Sequence, residues 1–174
     1  RFAESILQTL IEVAPTILKD TTDYKAASNF MWSCTMALNG LIQKGVPNDW
    51  AIHMMGHELT ALYGIDHART LAILAESHYT YNLESKKEKL AQYAERVWGV
   101  TEGTLEEKAK AGIKKTTTFF HSLGIKTKLS EYTEEYEGTA AEIAKRLTDR
   151  GMNGIGEHGT LTPKDAEKIV ELAY

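Results

Sequence analysis

Apolar residues recur at intervals of three and four along almost the whole of this chain, and glycine or proline repeatedly ends one such stripe before the next begins. That rhythm is helical. Phe2, Ile6, Leu7, Leu10 and Ile11 open a stripe that runs to about Leu18. Thr21-Thr22-Asp23 then offers N-cap oxygens to a second helix carrying Ala26, Phe30, Ala37 and Leu41. Gly45 and Pro47 close it and open a third, which stops at Gly64 after Tyr63. Further helices are predicted from about Asp66 to Tyr81 and from Ser85 to Val97, with Gly99 as the stop. Thr104-Leu105-Glu106-Glu107 reads as a capping box for a helix reaching Leu123, because Glu107 can reach back to the amide that its helix leaves unpaired. The last two helices run from Thr139 to Arg150 and from Thr162-Pro163 to the end, where proline suits the first helical position. Only Ile125 to Leu129 could pass for a strand. The expectation is an all-α bundle of seven or eight helices, one domain spanning residues 1–174.

The composition fits such a bundle: 43% of the 174 residues are hydrophobic and 25% charged. A net charge of -4 gives no basic footprint for nucleic acid. No uncharged apolar run approaches the roughly 20 residues of a membrane span. The single cysteine, Cys34, cannot form an internal disulfide, and a reducing cytoplasm is its simplest setting. Within Phe30 to Leu38 it reads as a buried small hydrophobe rather than a nucleophile. The first residue is Arg1, already against an apolar stripe, as if the chain began inside an element with something upstream removed.

Chemistry concentrates between Pro47 and Leu74, which hold three of the six histidines, His53, His57 and His67. His53 and His57 lie four apart and share a helix face, a common way to begin a metal site because neutral imidazole is a ready ligand. The pair alone fits solvated or satisfied core residues equally well. His67 belongs to the next helix. Ten residues of helix from His53 to Tyr63 climb about 15 Å, and a four-residue link returns at most about 14 Å. His53 and His67 can therefore meet, provided that Gly64-Ile65-Asp66 folds straight back, which positive φ at Gly64 permits.

Two familiar strings are excluded. A zinc protease needs His-Glu-x-x-His, whereas here Glu58 follows His57 directly and points about 100° away around the helix. Gly154-Ile155-Gly156-Glu157-His158-Gly159 spells a dinucleotide fingerprint, but it follows a helix rather than a strand and opens none. It reads as a glycine-rich loop with His158 at the surface. His78 and His121 receive no role.

From Phe2 onward the chain resembles the C-terminal domain of the iron-containing (group III) alcohol dehydrogenases, of dehydroquinate synthase-like fold. It is most similar to their NADPH-dependent aldehyde reductase and butanol dehydrogenase branch. The resemblance is carried by Arg1-Phe2-Ala3-Glu4, Ala37-Leu38-Asn39-Gly40, the run Asp49 to Thr60, Gly64-Ile65-Asp66-His67-Ala68 and Tyr93 to Trp98. It implies an oxidoreductase in which a divalent metal, iron or zinc, polarises a carbonyl or hydroxyl oxygen for hydride transfer to or from NADP(H). By position in the motif, His53 and His67 correspond to two metal ligands. His57 corresponds to a non-ligand histidine near the nicotinamide, a candidate for proton transfer or positioning. The other two ligands, an Asp and a His of an Asp-x-x-x-His helix, have no counterpart here, nor does the N-terminal α/β domain that holds the dinucleotide. The resemblance thus implies a fragment inactive alone, a missing N-terminal domain as its partner, a small aldehyde or alcohol as substrate, and a homodimer. After Leu74 the sequence departs from the family's apolar run and proline, reading Ala75-Glu76-Ser77-His78-Tyr79. A stand-alone helical binding or interaction module that kept the fold and lost catalysis accounts equally well for the missing half.

Overall fold

The computed structural model describes residues 1–174 and is helical throughout. Eight α-helices follow one another: α1 Phe2–Lys19, α2 Tyr24–Leu38, α3 Ala51–Tyr63, α4 His67–Tyr81, α5 Leu83–Trp98, α6 Leu105–Ser122, α7 Thr139–Asp149 and α8 Pro163–Glu171. Short 3-10 turns occupy Leu41–Gln43 and Leu129–Glu131, and no helix is long and apolar enough to cross a membrane. Ile125 to Lys128 is irregular rather than a strand, and Leu129 opens the second 3-10 turn. The second helix ends at Leu38, three residues before the expected Leu41, because Gly40 takes a left-handed conformation (φ 89°). The capping chemistry read from sequence is present: Thr104 with Glu107 opens α6, and Thr162 followed by Pro163 opens α8, where Asp165 completes a second box that the sequence reading did not name. Asp23 caps α2 by accepting from the Ala26 amide.

The chain divides into two compact units, residues 1–46 with 87–123 and residues 47–86 with 124–174. In the first, α1 packs along α2, and Arg96 of α5 is tied to α1 by its Glu4 contact (3.0 Å) and by the Gln8 side chain donating to its carbonyl (2.7 Å). Tyr93 of α5 meets Thr116 of α6 at 2.7 Å. Cys34 is exposed, contrary to the burial expected of it. The run Phe30 to Leu38 is apolar on nearly every side, so composition does not say which face turns inward; α2 buries Ser33 and leaves Met31, Trp32 and Leu38 largely exposed.

The second unit has the larger apolar core. Met55 and Leu59 of α3, Ile73 and Leu74 of α4, Ile143 and Leu147 of α7, and Ile169 and Val170 of α8 are essentially inaccessible, and Leu129, Ile155 and Leu161 fill the space between them. Burying such a side chain contributes about 1.5–3 kcal/mol. The helices are also joined through polar groups at the core's margin. Tyr81 of α4 donates to Asp165 of α8 (2.6 Å), and Tyr63 of α3 donates to the Glu135 carbonyl (2.8 Å). Glu58, 2% exposed, receives Arg146 of α7 and Arg150 just past its C-terminal end. The glycine-rich loop closes on itself through an antiparallel bridge between Ile155 and Leu161. A Cβ on Gly154 would lie 2.2 Å from the Gly159 carbonyl, so backbone crowding inside the loop explains that glycine without a phosphate. His158 stands at the surface.

Candidate metal centre

The site is made by the α3–α4 hairpin. Gly64 caps α3 with φ 67°, and Gly64-Ile65-Asp66 reverses the chain so that α4 returns along α3. The two helices touch closely at Gly56: a Cβ there would meet Thr70 Oγ1 at 2.8 Å and Leu71 Cδ2 at 3.3 Å. Gly56 lies three residues after His53 and one before His57, and Thr70 lies three after His67. The closest approach of the helices therefore falls at the level of the three imidazoles.

His53 Nδ1 stands 3.0 Å from His67 Nε2. The His57 ring stacks on that of His67, with centroids 4.2 Å apart and planes 3° from parallel. One ring nitrogen from each of the three lies within 4.8 Å of the others, His53 and His67 half-buried and His57 exposed. Trp50, just ahead of α3, packs its ring edge-on to His53 at 4.9 Å. Thr70, fully buried, donates its hydroxyl to the His67 carbonyl (2.7 Å) and lies 3.5 Å from His67 Nδ1.

Burial pushes the pKa of His53 below 6.5, and the neighbouring His67 and His57 push it further the same way. Burial likewise lowers His67, with His57 adding to it. Both imidazoles are thus held neutral near pH 7, each with one ring-nitrogen lone pair to present. A 3.0 Å separation is well inside the roughly 4.1 Å ceiling set by two metal–nitrogen bonds of about 2.0–2.1 Å. The donor set fits a divalent ion of the zinc or ferrous type.

Glu58, the acid that follows His57, faces away from the histidines toward Arg146 and Arg150. The notable polar group that sequence reasoning left without a role is His78. It is 1% exposed, with Nε2 3.4 Å from Asp49 and Nδ1 without a partner. Lys86 bridges Asp49 and Glu157 at 2.9 Å each. Although burial works to raise the Asp49 carboxyl, hydrogen bonds from His78, the Ala51 amide and Lys86 hold it well below the usual carboxylate range. Asp49 also accepts from the first amide of α3, so this network anchors the helix that carries His53. Thr70, Leu74 and His78 recur at every fourth residue on the buried face of α4, and that spacing was the available signal for both polar groups.

The C-terminal model of the Fe-containing alcohol dehydrogenase family matches residues 1–174. The NADPH-dependent aldehyde reductase YqhD of Escherichia coli (strain K12) is 47% identical over 173 residues, covering 99% of this chain and 44% of that protein. NADH-dependent butanol dehydrogenase A of Clostridium acetobutylicum is 35% identical over 173 residues, with 98% and 43% covered. Among solved structures, the substrate- and cofactor-free form of the E. coli aldehyde reductase YqhD superposes with a TM-score of 0.96 at 46% identity, covering 100% of this chain and 46% of that one. The chain spans less than half the length of these relatives. With its whole length matched by the family model and its fold shared, this chain belongs to the Fe-containing alcohol dehydrogenase family and corresponds to that family's C-terminal helical part.

Proposed function

We propose that this chain is the metal-holding part of an NAD(P)H-dependent alcohol dehydrogenase or aldehyde reductase that acts on small aldehydes and alcohols. The observation that carries the reading is the 3.0 Å approach of His53 Nδ1 to His67 Nε2, with both imidazoles held neutral, in a chain of this family. His53 and His67 would hold a divalent cation, iron or zinc, together with groups from an N-terminal domain that also binds the dinucleotide. When bound, such an ion supplies Lewis-acid polarisation of a carbonyl or hydroxyl oxygen.

The chain's own residues then have separable tasks. The hairpin turn at Gly64 and the close contact at Gly56 bring the two ligand nitrogens together before any ion arrives, so little ordering remains to oppose binding. The edge of Trp50 restrains the His53 ring. His57 is exposed and stacked on His67, so it can hold or pass a proton at a free ring nitrogen without serving as a ligand. By itself the chain lacks a hydride donor, and turnover requires the dinucleotide domain. The family likeness favours a homodimer in the cytoplasm.

The test is metal content and NADPH-dependent aldehyde reduction in the full-length gene product. His53→Ala and His67→Ala should each lose both metal and turnover, and His57→Ala should keep metal but turn over more slowly. Full metal and full rate in either ligand variant overturns the assignment, and metal loss in His57→Ala overturns its non-ligand role.

A further inference from the structure

The Thr70 hydroxyl has a single proton, and the 2.7 Å contact to the His67 carbonyl uses it, because a carbonyl can only accept. Toward His67 Nδ1, 3.5 Å away, the same oxygen can therefore only accept as well. Facing it, a protonated Nδ1 makes a favourable contact, whereas a bare Nδ1 sets lone pair against lone pair. Thr70 is completely buried, so no water replaces the hydroxyl if it is removed. The space it occupies exists because residue 56 is glycine: a Cβ there would fall 2.8 Å from the same oxygen.

From this we infer that Thr70 is a positioning residue that fixes the tautomer of His67, placing the proton on Nδ1 and leaving the Nε2 lone pair aimed at His53 before a metal ion binds. The inference rests on the proposed ligand role of His67. Partners of this kind orient ligating histidines and set which nitrogen is free. A consequence follows for His53. In the metal-free chain, the 3.0 Å contact is a hydrogen bond only if His53 Nδ1 carries the proton and donates to His67 Nε2. An ion taken up between those two nitrogens requires the His53 proton to move to Nε2, with no net proton released. His67 keeps one tautomer throughout, and His53 changes.

The experiment is long-range 15N–1H NMR of the histidine rings in the full-length gene product at pH 7.5, without metal and during Zn2+ titration, with Zn2+ affinity read from the same samples. Wild type should show His67 protonated at Nδ1 in both states, and His53 exchanging Nδ1–H for Nε2–H as Zn2+ binds. Thr70→Val should mix the His67 tautomers and weaken Zn2+ binding by about 10- to 100-fold. Thr70→Ser, which keeps the hydroxyl, should restore both, an outcome that loss of packing alone does not produce. Nδ1-bare His67 in wild type, or a Thr70→Val variant with unchanged tautomer and affinity, overturns the inference. His67→Ala separates the two levels of argument. Unchanged Zn2+ affinity in that variant removes the ligand role and this inference with it, whereas a large loss there beside an inert Thr70→Val removes this inference alone.

Discussion

Gly56→Ala sets two known effects against each other at the contact that shapes the site. Alanine is favoured over glycine inside a helix by about 0.8–1.0 kcal/mol, so local propensity predicts a more stable protein. The new Cβ, however, would stand 2.8 Å from Thr70 Oγ1 and 3.3 Å from Leu71 Cδ2. Ordinary contact begins near 3.4 Å, so α3 and α4 must part by roughly 0.6 Å, or Thr70 must rotate. Parting is overpacking and costs about 1–3 kcal/mol. Rotation breaks the 2.7 Å bond to the His67 carbonyl in a fully buried setting, at a comparable cost of about 1–3 kcal/mol. The packing cost wins, giving a net loss of up to about 2 kcal/mol. For a chain of this size each kcal/mol moves Tm by about 2–4 °C, so a fall of several degrees is expected in a thermal melt followed by circular dichroism. The cycle with Thr70→Ala isolates the cause: once the hydroxyl is gone, Gly56→Ala should become neutral or stabilising, a coupling of about 0.5–3 kcal/mol. A rise in Tm for Gly56→Ala in the wild-type background refutes the reasoning. So does additivity of the two substitutions to within about 0.5 kcal/mol.

Two further outcomes follow from the same unit. Because folding lowers the pKa values of His53 and His67, the unfolded chain binds more protons between those values and 6.5. Their contribution to stability is complete above about pH 6.5 and declines as the pH falls below it; metal-free melts from pH 7.5 to 5 should show this, and His53→Gln/His67→Gln should flatten it. An unchanged slope in the double variant counts against the histidines as its source. Replacing both Arg146 and Arg150 by Met strands the buried Glu58 carboxylate and should cost about 3–5 kcal/mol in urea unfolding, with Glu58→Met recovering most of it. A triple variant no more stable than the double one sinks that account.

Much of the architecture was legible because helix ends are written in short-range chemistry. Thr104 with Glu107 caps α6 where the hydroxyl-to-acid spacing says it should, and Thr162-Pro163 opens α8 where an N-cap threonine before a proline says it should. Gly64 likewise marked a reversal, and the reach of one helix plus one short link showed that His53 and His67 could meet there. Which face of a helix is buried was less legible where every face is apolar. In α2 the polar Ser33 turns inward while Cys34 and Trp32 face outward. Burial there depends on how α1 lies against α2, a long-range fact that no local pattern contains.

The polar residues of α4 show where such reading stops. Thr70, Leu74 and His78 mark one buried face at a spacing of four, so a threonine and a histidine stand where apolar side chains would pack without cost. Burying either without a partner costs on the order of 1–3 kcal/mol, so each position implies something for it to bond. For Thr70 that partner is His67, one turn away and readable from spacing. For His78 it is Asp49, twenty-nine residues earlier and ahead of α3, which only the folded hairpin brings within 3.4 Å. Both polar groups support the elements that carry the site histidines, Thr70 directly beside His67 and His78 through Asp49 at the start of the helix bearing His53. A polar residue on an otherwise apolar stripe, next to an i, i+4 histidine pair, therefore marks the support of a site even where the sequence conceals its partner.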